Sequence, residues 1–177
     1  MSGAVLRVCE LIRREALKIL PEGGVAVDAT LGNGKDSLFL APLVKRILAF
    51  DIQEEALDRS RLLLKDFDNI TYIQNSHADM DRYTDHADMV IFNLGYLPEG
   101  DTKITTLGET TMTAIKKALA LLHSGQYVFV TFYIGHPEGR REWLMFQETD
   151  FPDAEIEDSY TYLDRKDAPV LYRIRKK

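Results

Sequence analysis

Along this chain, short apolar runs of strand character alternate with segments whose apolar residues fall at helical spacing, and that alternation constrains the fold more than any single motif. Val25 to Val27, Arg46 to Phe50, Ile70 to Ile73, Ala87 to Phe92 and Tyr127 to Tyr133 read as strands. Residues 4–20, Ser37 to Ala41, Gln53 to Phe67, about Thr110 to Leu122, and a segment opening at Pro137 and carrying Trp143, Leu144 and Phe146 read as helices. Strands joined through helices run parallel. In the tail, Glu155 to Tyr162 and Val170 to Arg175 alternate apolar and polar with only a short polar turn between them, which reads as an antiparallel hairpin. The expected architecture is α/β and Rossmann-like, a seven-stranded, mostly parallel sheet closed by that hairpin, in a single domain over residues 1–177.

Composition agrees with one compact fold. The chain has 177 residues, 45% of them hydrophobic, and a chain of this size buries roughly 70% of its extended surface, so metal or disulfide staples are not needed. Cys9, the single cysteine, shares a helical face with Val5, Ile12, Ala16 and Leu20 and reads as small core filler. No metal site is expected. Arg7, Glu10, Arg13, Arg14 and Glu15 interrupt the apolar positions near the N-terminus, and no later run approaches a membrane span. A cytoplasmic chain without membrane contact is therefore expected. The net charge of −6 opposes general nucleic-acid affinity. RNA contact would need a local patch, and two are available: Arg140 with Arg141, and Arg165, Lys166, Arg173, Arg175, Lys176 and Lys177 in the hairpin and its tail.

Chemistry concentrates where the first strand meets Asp28-Ala29-Thr30-Leu31-Gly32-Asn33-Gly34-Lys35-Asp36. Glycines at such a turn allow positive φ and close ligand approach, and the following helix offers unpaired N–H groups. A glycine turn alone is a weak signal. Asp51 strengthens it, because a carboxylate ending the second strand, 19 residues after Gly32, can accept hydrogen bonds from both ribose hydroxyls of a nucleoside. Ser37 occupies the third-glycine position of the dinucleotide fingerprint, and Asp28 would repel a pyrophosphate. The same Asp28 would favour the α-ammonium of S-adenosylmethionine, directly or through water. On the fourth strand's carboxyl edge, the Asn93 amide oxygen can accept a hydrogen bond from an attacking N–H, and Tyr96 can stack on a base. Asn93 to Tyr96 resembles the Asn-Pro-Pro-Tyr signature of amino-group methyltransferases, with Leu94-Gly95 in place of the prolines.

Four motifs make the resemblance specific: Asp-Ala-Thr-x-Gly-Asn-Gly-x-Asp-Ser at 28–37, Asn-Ser-His at 75–77, Asn-Leu-Gly-Tyr-Leu-Pro-x-Gly-Asp at 93–101, and Tyr-x-Gly-His-Pro at 133–137. Together they resemble a family first labelled as rRNA methylases, whose characterised members methylate the aminomethyl group of 5-aminomethyl-2-thiouridine at the tRNA wobble position. The resemblance runs from about residue 25 to the end of the chain. It implies a class I methyltransferase fold, S-adenosylmethionine as donor, tRNA bound through its anticodon stem-loop, and a homodimer. It also implies that Asp28, Thr30, Gly32, Asn33, Gly34 and Asp36 surround the methionine part of the donor, Asp51 and Gln53 its ribose, and Asn75, Ser76 and His77 its adenine. Asn93, Tyr96, Asp101 and the Tyr133 to Pro137 segment would face the acceptor, with Asp101 and His136 as candidate proton acceptors. The chain departs from the family pattern at Asn75, Glu99, Glu138, Asp164-Arg165 and Ala168-Pro169. Methylation of rRNA, methylation of a small molecule, and donor binding without catalysis stay open as alternatives.

Overall fold

The computed structural model describes residues 8–21, 23–95, 107–161 and 167–177. In chain order the elements are α1 (Val8–Ile19), β1 (Val25–Asp28), α2 (Lys35–Leu40), β2 (Arg46–Asp51), α3 (Glu54–Leu63), β3 (Ile70–Gln74), a 3₁₀ helix (His77–Arg82), β4 (Met89–Leu94), α4 (Gly108–Leu121), β5 (Tyr127–Phe132), α5 (Pro137–Glu148), β6 (Ala154–Tyr160) and β7 (Val170–Lys176). The seven strands form one sheet in the order β3-β2-β1-β4-β5-β7-β6. β1 to β5 pair in parallel, while β7 lies between β5 and β6 and runs antiparallel to both.

Side chains alternate across the strands, so each face buries its own set. One face packs Ala26, Ile47, Ala49, Met89, Ile91 and Phe129 with Leu11, Ile12 and Ala16 of α1 and Leu40 and Leu57 of α2 and α3. The other packs Val27, Leu48, Phe50, Val90, Phe92, Val130 and Phe132 with Ile115 and Ala118 of α4 and Phe146 of α5. The expected α/β, Rossmann-like architecture is therefore present, with helices on both faces of the sheet. β1 sends the chain outward to β2 and β3, then the chain returns to β4 on its other side, so a crevice opens at the carboxyl ends of β1 and β4.

Some boundaries differ from expectation. The described part of α1 begins at Val8, residues 1–7 lie outside the described residues, and so does the side chain of Cys9. α3 stops at Leu63 rather than Phe67, and the turn after it lets the Asn69 amide donate to the Ala41 and Val44 carbonyls at 2.8 Å each. β4 begins two residues late because Asp88 serves as an anchor. Its carboxylate accepts from the Val25 N–H at 2.7 Å and the Gln126 amide at 2.6 Å, tying together the starts of three strands. β4 also ends later than expected, so Asn93 and Leu94 pair with Thr131 and Phe132 inside the ladder.

The hairpin neutralises much of its own charge. The Arg173 guanidinium pairs with Glu15 at 2.8 Å, with Glu157 at 3.1 Å and with Asp158, while Arg175 pairs with Glu155 and Glu157. Two cations expected to serve RNA are thus held by acids of α1 and β6, and Arg165 and Lys166 lie outside the described residues.

Gly34 tests how tightly the first turn is built. It adopts φ 73° as the N-cap of α2, and a Cβ there would lie 2.8 Å from Ser60 Oγ, which itself donates to the Gly32 carbonyl at 3.0 Å. Left-handed strain and overpacking together set the expected loss for Gly34→Ala at about 2–4 kcal/mol, measured as a lower urea midpoint with an unchanged m-value.

Candidate active site

The carboxyl ends of β1, β2 and β4 surround a cavity of about 850 Å³. Three strand-tip groups shape it. Asp28, at the end of β1 and 1% exposed, accepts from the Ser37 hydroxyl at 2.7 Å and the Thr30 N–H at 3.3 Å. Asp51, at the end of β2, accepts from the Gly32 N–H on one oxygen and the Gln53 N–H on the other, both at 2.9 Å. Thr30 Oγ1 accepts from the Asn93 backbone N–H of β4 at 2.6 Å. The glycine loop is thereby fastened to its own strand, to β2 and to β4.

Asn93 is held from both sides. Its Nδ2 donates to Asp36 at 3.3 Å, and the residue lines the cavity. The amide oxygen is buried and has no hydrogen-bond partner among the described residues, an arrangement that carries a desolvation cost unless a donor arrives. His77 repeats the pattern: a carbonyl can only accept, so Nδ1 carries a proton toward the Ala29 oxygen at 3.0 Å, and Nε2 keeps a buried lone pair without a partner among the described residues. Burial holds the His77 pKa down at about 4, so the ring is neutral.

The carboxylates are shifted upward. Burial, then the neighbouring Asp36, pushes Asp28 up to about 7 against the Ser37 and Thr30 hydrogen bonds. Burial also raises Asp36, opposed by the Asn93 amide and the positive charges of Arg13 and Lys35. It raises Asp51 too, opposed by backbone N–H groups. The site is thus acidic, desolvated and electrostatically suited to a cation.

Of the residues singled out from the sequence, Thr30, Gly32, Asn33, Asp36, Asp51, Gln53, Asn75, Ser76, His77, Asn93 and His136 line the cavity. Asp28 and Gly34 do not. The expectation that the Asp28 carboxylate reaches a ligand is corrected, because both of its oxygens face the loop's own donors; Asp36 is the carboxylate at that end of the cavity. Tyr96 and Asp101 lie outside the described residues. His136 lies at the cavity wall, and its Nδ1 accepts from the Gly139 N–H at 3.1 Å to cap α5. Sequence reasoning missed Arg13, Thr110 and Asp167, which also line the cavity, whereas Leu107, at the end of the long loop read as a site wall, lines it too. Arg13 was visible as a cation on a helix, but nothing in the spacing said that α1 reaches the strand tips.

Among the described residues, no group of three or more His, Cys, Asp or Glu side chains is gathered to hold a metal, and no helix is long and apolar enough to cross a membrane.

Sheet order, glycine turn, acidic second-strand tip and strand-four Asn together define a class I methyltransferase fold. A family model described as "Putative rRNA methylase" matches residues 47–167, and the chain belongs to that family. A structure from Clostridium thermocellum bearing the same description superposes with TM-score 0.90 at 33% identity, covering 99% of this chain and 100% of the other. A structure from Streptococcus mutans, described as "a putative methyltransferase" and solved in complex with SAH, superposes with TM-score 0.87 at 34% identity, covering 98% of this chain and 100% of the other. The chloroplastic tRNA (mnm(5)s(2)U34)-methyltransferase of Arabidopsis thaliana is 33% identical over 175 residues. That similarity covers 87% of this chain, and the chain spans 64% of that relative's length.

The raised Asp28 pKa has a stability consequence. A folded carboxyl that holds its proton more tightly than the unfolded one favours folding most below pH about 4, and the benefit fades as pH rises to about 7. Thermal midpoints are therefore expected to fall between pH about 5 and about 8. In Asp28→Asn, which keeps an oxygen for the Thr30 N–H, the fall should be clearly shallower; equal slopes in differential scanning calorimetry would contradict the assignment.

Proposed function

We propose that this chain is an S-adenosylmethionine-dependent N-methyltransferase acting on RNA, with the aminomethyl group of 5-aminomethyl-2-thiouridine at the tRNA wobble position as acceptor. The observation that carries the reading is the Asn93 amide: anchored through Nδ2 at the wall of the cavity, it keeps a buried oxygen without a partner among the described residues. An attacking amine is the donor that such an oxygen lacks.

The donor supplies an activated methyl group on a sulfonium. Asp51, already preorganised by Gly32 and Gln53, would accept from the ribose hydroxyls, and the neutral His77 Nε2 would accept from the adenine amine, with Asn75 and Ser76 beside it. Thr30, Gly32, Asn33 and Asp36 would surround the methionine end, while Asp28 and Gly34 support the loop from behind. Displacement requires the acceptor nitrogen to be neutral and in line with the methyl group, so positioning supplies much of the acceleration. Asn93 Oδ1 would orient one N–H and leave the lone pair directed at the methyl carbon; the C–S bond then breaks and the nitrogen sheds a proton. Asp101 retains the proton-acceptor role and Tyr96 the stacking role in this reading, with Tyr133 exposed at the rim.

The name of the Arabidopsis relative supports a wobble uridine acceptor. Residues 1–177 would act as one domain in a homodimer, in the compartment that holds the tRNA. Arg140 and Arg141, exposed one turn into α5, would supply local charge for the anticodon stem-loop.

A similarity of 36% over 88 residues to a ribosomal RNA small subunit methyltransferase H of Acholeplasma laidlawii makes rRNA the acceptor to compare. With tRNA and rRNA purified from cells lacking the gene, labelled methyl groups are expected in one tRNA nucleoside, identified by mass spectrometry. Incorporation into rRNA alone, or turnover of a free amine without RNA, would overturn the acceptor assignment. Asn93→Ala should lower kcat by about 100- to 1,000-fold, in the range that oriented catalytic hydrogen bonds supply, while SAH affinity stays within about threefold by calorimetry.

A further inference from the structure

We propose that Arg13 is the carboxylate-binding residue of this site, and that Arg13 and Asp36 form a pair of opposite charges reading the amino-acid end of the donor. The inference rests on the donor assignment above.

Arg13 sits on α1, far from the glycine turn in sequence. Leu11, Ile12 and Ala16 bury the helix against the sheet, and this packing places the half-buried Arg13 at the wall of the cavity. The guanidinium lies over the Phe39 ring, 5.3 Å from its centroid, within cation–π range. One terminal nitrogen donates to the Lys35 carbonyl at 3.5 Å, a long hydrogen bond. The Nε is buried and has no hydrogen-bond partner among the described residues. A buried guanidinium N–H without an acceptor is costly, and a planar carboxylate is the group its fork geometry matches.

Asp36 is near enough for Arg13 to oppose the upward shift of its carboxyl. Yet among the described residues the two form no ion pair, and Asp36 instead accepts from Asn93. Opposite charges at one end of a desolvated cavity, kept apart from each other, are complementary to an α-ammonium and an α-carboxylate on the same carbon. A phosphate fits less well, since Asp36 would repel it while offering no hydrogen to it. Lys35, also at the wall but exposed, adds positive charge without fork geometry.

The test compares SAH with its decarboxylated analogue, which keeps the ammonium, sulfur and nucleoside, on wild type, Arg13→Gln and Arg13→Lys, with circular dichroism confirming the fold of each. Wild type should bind SAH about 10- to 100-fold tighter than the analogue, the range for hydrogen bonds to a charged group. Arg13→Gln should lose that preference by weakening SAH alone, leaving analogue affinity within about twofold. Arg13→Lys should retain part of it. Equal weakening of both ligands would mean that Arg13 only braces the fold, and no change in either would mean that it touches neither; each result overturns the proposal. If wild type binds neither ligand, the donor assignment itself fails, whatever the Arg13 variants do.

Discussion

Two strand-tip carboxylates accept hydrogen bonds from one short loop, and the rest of the site takes its shape from that attachment. Asp28 grips Ser37 and the Thr30 N–H from beneath, and Asp51 grips the Gly32 N–H from the neighbouring strand. Without these acceptors, a loop with glycines at positive φ would have many conformations open to it. With them, Thr30 Oγ1 is placed to receive the Asn93 N–H, so β4 is also registered against the loop. Geometry that fixes the nucleoside end therefore also fixes the amine end.

The cost of that order is electrostatic. Asp28, Asp36 and Asp51 all have raised pKa values, with burial as the first cause in each case. Burial disfavours the charged form of each, so all three hold their protons more tightly than free carboxyls do, and the loop's hydrogen bonds and the nearby Arg13 and Lys35 offset part of that shift.

Much of the architecture was readable because each face of the sheet leaves a mark in the sequence. The short apolar run in Arg46 to Phe50 and the helical spacing in Gln53 to Phe67 located β2 and α3, though not where α3 ends. The glycine turn, Asp51 and Asn93 were legible as residue types at meaningful spacings. Direction was not: a carboxylate at a strand tip can face a ligand or the loop behind it, and Asp28 faces the loop. Nor could spacing foresee that His136 Nδ1 caps a helix. The ion pairs of Arg173 and Arg175 depend on β7 lying between β5 and β6, with α1 close by, a long-range fact with no local signature. Arg13 was hidden for the same reason, since α1 reaches the cavity only through packing.

The sheet order divides labour along the chain. Groups at the nucleoside end come from α1 through Ser76 and His77, whereas those past Asn93 come from β4, α4 and the segments following β5. The two sets meet where β1 adjoins β4, and again where Asp36 accepts from Asn93, where Lys117 of α4 binds the Ala78 carbonyl and Asp81, and where Arg173 of β7 pairs with Glu15. The two ends of the cavity are therefore stitched together at several points, and a displacement on one side is carried to the other.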